Sequence, residues 1–371
     1  MANLVGAKHP KLEVAAMNSL TVNLHMLMAA FYRPRAGRAA ILIEAGAFPS
    51  DRYAVTSQIQ HHGLDPAECL IEVAPSLADG IFSTEDVLAA LYENRERLCL
   101  LLLGGVNYLT GQVFDMARIA SSVHDLNASR SADNLEPIIL GYDLAHAVGN
   151  VPLSLHDWGV DFAAWCTYKY LNSGAGAIGA IFVHKRHMDD TEIYPRLTGW
   201  WGVPHAPGPR FEMRHRFDSS PGAPGFACSN ANPLTVACLL ESLRIFDKAG
   251  GMNVLREQSV RLSSYLRLLL TQENDFEPTA DDCGVRIITP SSEFESGCQL
   301  SLKLLPPHKK HLPSGSMRQL ERILFSNGVV VDAREPDVIR VSLVPLYNTF
   351  SDALSFVVQL RESIRQLQVD E

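Results

Sequence analysis

Membrane-spanning length is missing from this sequence. Its longest apolar runs, Leu98 to Leu103 and Ile178 to Val183, fall far short of the roughly 20 residues a helix needs to cross a bilayer, and their length suits buried strands instead. The opening MANLVGAKHPKLEV has no apolar core of signal-peptide length, and no small-residue cleavage pattern follows it, so the cytoplasm is the expected compartment. Positive charge is in short supply as well: 32 Lys and Arg stand against 41 Asp and Glu, for a formal net charge of -9. That balance opposes attraction to a phosphate backbone, and nucleic acid is not an expected partner. The seven cysteines, at 69, 99, 166, 228, 238, 283 and 298, form no CxxC pair and are odd in number, which fits reduced core residues. Among 13 histidines, the adjacent His61 and His62 and the i, i+3 pair His184 and His187 bring no third ligand at a usual spacing, so no metal is expected.

What is present suffices for a large core. With 47% hydrophobic and 20% charged residues over 371 positions, the chain is expected to divide into a large domain, residues 1–265, and a small α+β domain, residues 266–371. From Asn18 to about residue 183, short apolar runs alternate with helix-like stretches, the pattern of an α/β fold with helices covering a mostly parallel sheet. Asn18 or Ser19 is placed to cap a helix that ends before Pro34. Asp51 to His62 reads as a second helix stopped by Gly63, and Ser83 or Thr84 begins a third with acids in its first turn. Strands are expected at Ala40 to Glu44, Leu98 to Leu103, Pro137 to Tyr142, Val160 to Cys166 and Ala177 to Val183, with a helix opening at Asp115. Residues 202 to 225, rich in Pro, Gly, Arg and His, read as a long loop. Beyond them come helices over Leu234 to Phe246 and Met252 to Leu270, strands near Gly284 to Thr289 and Gln299 to Leu304, a helix near Met317 to Phe325, strands near Gly328 to Val331 and Ile339 to Val344, and a last helix from Ser351.

Chemistry concentrates where two of these strands end. PIILGYDLAHAVGN puts Asp143 just after one apolar strand, and VDFAAWCTYKYLNSGAG puts Lys169 just after the next. Pyridoxal phosphate needs such a pair, a lysine to attach it and a carboxylate to keep its pyridine nitrogen protonated, and open α/β sheets bind ligands at the carboxyl ends of their strands. Spacing alone leaves a turn aspartate and a surface lysine equally open. The helix start at Ser19, Leu20 and Thr21 offers free N–H groups to a phosphate, with Tyr168, Ser229 and Asn230 as further donors, and Phe48 could stack on a ring. Gly174, Gly176 and Gly179 lead into a strand rather than a helix, so they are not a dinucleotide fingerprint.

The blocks MNSLTVNLHMLM, EAGAFPSDRYAV, GYDLAHAVGNVPLSLHDWGVDFAAWCTYKYLNSGAGAIGAIFVH, GWWG, GFACSN and IRVSLVPLYN resemble kynureninase, from about residue 17 to about residue 350. The resemblance implies the aspartate-aminotransferase fold, pyridoxal 5'-phosphate as cofactor, and hydrolysis of L-kynurenine or 3-hydroxy-L-kynurenine to an anthranilate and L-alanine, a step of tryptophan degradation and NAD biosynthesis. It implies Lys169 as the Schiff-base lysine and Asp143 at the pyridine nitrogen. His146 would lie beside the cofactor, Phe48, Pro49, Ser50 and Asp51 around the ring, and Leu20, Thr21 and Tyr168 at the phosphate, with Gly104 also at a cofactor-binding position. Tyr168 is a candidate proton shuttle as well. Trp200 and Asn230 would reach the cofactor of a second subunit, hence a homodimer. Arg340 would clamp the substrate carboxylate, with Ser229 and Asn230 also touching substrate.

Two departures from the family pattern stand out. The family usually carries a longer front segment that helps enclose the substrate, which leads to the expectation that this chain binds the cofactor but turns substrate over poorly; a weakly active or inactive cofactor-binding dimer is the alternative reading. The family also often has a hydroxyl residue where Gly104 stands and a histidine where Val203 stands, with His205 as a candidate replacement for the latter. Cysteine desulfuration, another reaction of this fold, finds no cysteine in a recognisable mobile catalytic loop.

Overall fold

The computed structural model describes residues 1–133, 135–204, 215–272, 276–280, 282–308 and 311–367. The chain folds as two compact units: Met1–Ala78, Phe82–Val106 and Phe114–Lys248 make the first, and Asp79–Ile81, Asn107–Val113 and Ala249–Glu371 the second. The division falls between Lys248 and Ala249, ahead of residue 265, which lies inside an unbroken helix, Gly251–Thr271, that belongs whole to the second unit; Gly250 and Gly251, both at positive φ, follow the break.

The first unit runs α1 (Ala2–Val5), α2 (Pro10–Glu13), β1 (Val14–Ala16), α3 (Leu20–Phe31), β2 (Ala40–Glu44), α4 (Pro49–His61), α5 (Pro66–Cys69), β3 (Leu70–Val73), α6 (Thr84–Glu93), β4 (Leu98–Gly104), α7 (Met116–Ala132), β5 (Ile139–Asp143), β6 (Phe162–Cys166), β7 (Gly179–Val183) and α8 (Pro233–Lys248). Its seven-stranded sheet has the order β1-β7-β6-β5-β4-β2-β3. The five strands from β3 to β6 are parallel, whereas β7 runs antiparallel to β6 and to β1. Strands β2, β5, β6 and β7 are buried at every position, as continuous apolar runs covered on both faces must be. Leu24, Leu27 and Phe31 of α3 pack with Ile41, Phe162 and Ile181 in one apolar cluster.

Local signals set the helix starts. Ser83 accepts from the Asp86 amide while Asp86 accepts from the Ser83 amide, a reciprocal cap on α6. Asp115 accepts from the Arg118 amide at the start of α7. Ser19 holds the cap position of α3 but makes no side-chain bond to it, and α4 begins at Pro49, ahead of the expected Asp51. Pro suits a first helical turn because the N–H it lacks has no partner there.

The second unit holds α9 (Gly251–Thr271), β8 (Gly284–Ile287), β9 (Gln299–Leu305), α10 (Ser316–Ser326), β10 (Asp332–Arg334), β11 (Val338–Ser342) and α11 (Phe350–Arg365). Its four strands form an antiparallel sheet in the order β10-β11-β9-β8, and Leu262, Leu266, Leu300, Leu302, Leu320 and Leu360 share its core. The strand expected over Gly328 to Val331 begins later, at Asp332. The apolar stretch closes α10 instead: Gly328 takes φ 80°, and the Val329 amide returns to the Leu324 carbonyl at 2.9 Å. Among the described residues no helix is long and apolar enough to cross a membrane.

Candidate active site

Four strand ends and two helix starts meet on one edge of the first unit's sheet. Asp143 is the last residue of β5 and is buried, and its Oδ1 accepts the Ala145 amide at 2.7 Å. Lys169 follows the end of β6 by three residues, and its Nζ lies 5.7 Å from the centroid of the Phe48 ring. Phe48 caps α4, whose first turn carries Pro49, Ser50 and Asp51. Ser50 and Thr21, the latter from the first turn of α3, share a hydroxyl hydrogen bond of 2.8 Å. The first helical bond of α3 runs from the Asn23 amide to the Ser19 carbonyl at 2.9 Å, so the amides of Leu20, Thr21 and Val22 precede it and have no carbonyl a turn earlier to bond.

The electrostatics of this edge are acidic. Asp51 lies within hydrogen-bonding reach of Asp143 and near Glu44 and Lys169; burial first, and then Asp143, drive its carboxyl far above the ordinary carboxylate range. Its Oδ1 is buried without a hydrogen-bond partner. Burial also pushes the Tyr168 hydroxyl up, with Cys166 and Asp143 adding to the shift. His146, two residues past the end of β5's loop start at Leu144, sets its ring 6.1 Å from that of Tyr170 in an edge-on contact.

These residues fit pyridoxal phosphate on a structural observation. A buried carboxylate oxygen with no partner is rare in a folded interior and calls for a ligand or a proton. A flat aromatic face, a lysine within reach of it, a carboxylate for a ring nitrogen and a helix start for a phosphate are the four holds that this cofactor requires.

The remaining expected residues lie on other segments of the chain. Trp200 belongs to a short 3-10 turn, Trp200–Gly202, and is exposed. That turn packs on the GFACSN segment: the Trp201 amide bonds the Cys228 carbonyl at 3.3 Å, and a Cβ on Gly199 would come within 2.3 Å of the same carbonyl oxygen. Trp200 therefore sits on the segment that leads to Ser229 and Asn230, both of them exposed. Val203 closes the turn, and His205 lies outside the described residues. Arg340, on β11 of the second unit, donates from Nε to Asp332 Oδ2 at 2.6 Å and from Nη1 to the Tyr108 carbonyl at 2.6 Å.

Sequence reasoning missed two groups. Glu44 was read only as the end of a strand, yet its carboxylate accepts the Gly104 amide at 3.2 and 3.3 Å. The i, i+3 histidines separate: His187 bonds Asp161 and Asp190, while His184 stacks on His156 at 4.7 Å. Glu13, His156 and His184 form the one cluster of three possible metal ligands found among the described residues. Its donors are committed, however. Glu13 accepts the amides of Lys8, His9 and Lys185 and the His156 Nδ1, and His184 Nδ1 accepts the Arg186 amide. The cluster fastens α2 to the far edge of the sheet. Its members lie up to 171 residues apart (184 − 13), which is why no local spacing announced it.

Fold and site together define a pyridoxal-phosphate-dependent enzyme of the aspartate-aminotransferase class. The same fold appears in a C-DES mutant with glycine covalently linked to its PLP cofactor (TM-score 0.75, 18% identity, covering 97% of this chain and 85% of that one). It appears also in a cysteine desulfurase of Thermococcus onnurineus (TM-score 0.73, 14% identity, 99% and 82%). The kynureninase C-terminal domain family matches residues 255–360. A kynureninase of Eremothecium gossypii is 47% identical over 370 residues, covering 99% of this chain and 79% of that protein. One of Xanthomonas campestris pv. campestris is 49% identical over 352 residues, covering 95% and 76%. The chain belongs to the kynureninase family.

Proposed function

We propose that the chain hydrolyses the side chain of L-kynurenine or 3-hydroxy-L-kynurenine, releasing an anthranilate and L-alanine, with Lys169, Asp143 and Tyr168 as its catalytic residues. The observation that carries this reading is the placing of Lys169 and Asp143 at adjacent strand ends in a chain whose kynureninase relatives match it almost from end to end. When bound, pyridoxal phosphate supplies an electron sink for the carbon next to the substrate's amino group. Leu20 and Thr21 hold its phosphate with α3 amides, Tyr168 adds a hydroxyl, and Phe48 covers one face of the ring. Pro49, Ser50, His146 and Gly104 line it. Asp143 keeps the proton on the ring nitrogen, with Asp51 beside it. Lys169 would anchor the cofactor and would hold the proton taken from the substrate's α-carbon.

Arg340 binds the substrate carboxylate, its guanidinium plane oriented by Asp332 and the Tyr108 carbonyl. Trp200 and Asn230 serve the site of a second copy in a homodimer, and Ser229 and Asn230 touch the substrate. Exposed apolar side chains on α8, Leu234, Leu240 and Ile245, support that assembly, since water-facing groups of this size gain from a covering partner.

The test is a steady-state assay with both substrates, following anthranilate fluorescence and alanine together. Equimolar products from at least one substrate are expected; a stable cofactor absorbance with neither product would overturn the reading. Mixing Lys169→Ala chains with Asn230→Ala chains should restore part of the activity lost by each, and proven heterodimers without recovery would exclude shared sites.

A further inference from the structure

Glu44, Gly104 and Asp143 are the last residues of β2, β4 and β5, three neighbouring parallel strands. Gly104 is in register with Asp143, and the Gly105 amide bonds the Asp143 carbonyl at 2.8 Å. The middle strand thus ends in a residue with no side chain, and the Glu44 carboxylate fills the gap, receiving the Gly104 amide. A Cβ on Gly104 would lie 2.9 Å from Glu44 Oε1. Glu44 is buried, and among the described residues no cationic side chain pairs with it. The groups facing it are the Gly104 amide from β4, Asp143 from β5 and Asp51 from α4, the last of these also near Lys169.

We propose that Glu44, seated in the gap at Gly104, is a proton-holding positioning residue that acts through Asp143 and so governs the charge presented to the cofactor's ring nitrogen. This rests on the assignment of Asp143 to that nitrogen. The physical case is one of charge. Glu44 and Asp51 both lie beside Asp143, with Lys169 near Asp51, and buried neighbours of like sign do not all ionise. Asp51 holds a proton most firmly. Glu44, raised by burial to about 7 with Asp143 adding to the shift, is the member that changes charge in the range where the enzyme works. A neutral Glu44 leaves Asp143 as the nearest negative charge to the ring nitrogen; an ionised Glu44 adds a second charge across the gap. Glycine at 104 is what permits the approach.

The test has two arms. In the cofactor-free protein, a carboxyl raised on folding stabilises the fold below its unfolded value and loses that stabilisation as pH rises through the folded one. The Glu44 contribution should therefore fall as pH rises from about 5 to about 7, read as the pH-dependent difference in melting temperature between the wild type and Glu44→Gln, which keeps an acceptor for the Gly104 amide without the titration. In the loaded protein, Glu44→Gln should move the pH midpoint of the cofactor's visible absorbance by about half a unit or more. Gly104→Ala, which displaces the carboxylate, should move it too and guards against a folding failure in the first variant. An unchanged pH slope in the cofactor-free Glu44→Gln protein overturns the proposal. So does an unmoved midpoint in both variants when Asp143→Asn, run alongside, moves it. Unmoved midpoints in all three variants count instead against the Asp143 assignment, and the cofactor-free arm then decides the role of Glu44.

Discussion

At the amino end of the parallel strands in the first unit, a buried aspartate is fully paired; at the carboxyl end, Glu44 and Asp51 lie beside Asp143, with Lys169 near Asp51. Asp161, just ahead of β6, accepts from His187 Nε2 at 2.7 Å and from the Arg186 guanidinium at 2.5 Å, and also receives the Leu140 amide. Burial alone would raise its carboxyl, but these partners outweigh burial and hold it down to about 2. Nearby, Glu13 is likewise held below its ordinary value by the His9 amide, the His156 ring and the Lys185 amide, against the opposing pull of burial. Glu44 and Asp51, at the opposite end of the same sheet, are driven the other way. Acids that brace the fold are given enough donors to remain charged at every working pH. Glu44 and Asp51, where burial outweighs their few donors, are shifted toward the protonated form, a pattern that marks candidate functional sites.

Four measurements would break or sharpen that contrast. Lys169→Ala removes the cation near Asp51: borohydride should no longer fix the cofactor to the chain, and turnover should fall by a factor on the order of 10⁴ or more. Recovery of reduced cofactor on a peptide without residue 169 would move the site elsewhere. Asp143→Asn keeps the shape of β5's end but not its charge, and kcat should drop about 10²-fold to 10³-fold while the circular dichroism spectrum stays that of the wild type; a near-normal kcat would contradict its role.

At the other end, Asp161→Asn removes the charge that Arg186 and His187 share and turns an NH2 toward one of the donors that the carboxylate accepted, and should destabilise the cofactor-free protein by about 3 kcal/mol in urea. Because the folded carboxyl is depressed, the wild-type advantage is complete above about pH 4 and fades as pH falls toward 2, so the two proteins should converge in acid. The smallest effect concerns His184, lowered to about 4 by burial first and then by Arg186 and His156. The unfolded ring takes up a proton that the folded one refuses, so stability declines from about pH 6.5 down to about pH 4. His184→Gln should flatten that decline, and an unchanged slope would remove the ring from the account.

Much of the working end was legible in the sequence because its parts sit at the ends of unbroken apolar runs: Asp143 and Lys169 announce themselves by following IIL and FAAWC. The capping acids of α6 and α7 were legible for a similar reason, being local chemistry. What escaped was short or distant. β1 and β3, with three and four residues and mostly half-buried positions, are too brief to show a period. Asp332–Arg334 is polar and became a strand through pairing with β11, while the apolar residues before it were used to close a helix. Glu44 and Glu13 depend on partners 60 and 172 residues away, and only the folded chain brings those together.

The start of α3 is sewn to the start of β7: the Gly179 amide bonds the Asn18 carbonyl at 2.7 Å, the Met17 amide bonds the Gly179 carbonyl at 2.9 Å, and Asn18 itself turns through φ 46°. Gly179 stands ten residues beyond Lys169 along the chain, so the anchor for the phosphate and the segment leading away from the lysine are two parts of one stitched piece. The span between them is set before any cofactor arrives, and little freedom remains to be surrendered when it docks. Gly179 is the knot in that seam. A methyl group there would stand 3.1 Å from the Ser19 carbonyl carbon and 3.2 Å from the Leu20 amide, so Gly179→Ala should shift the helix start that is proposed to hold the phosphate.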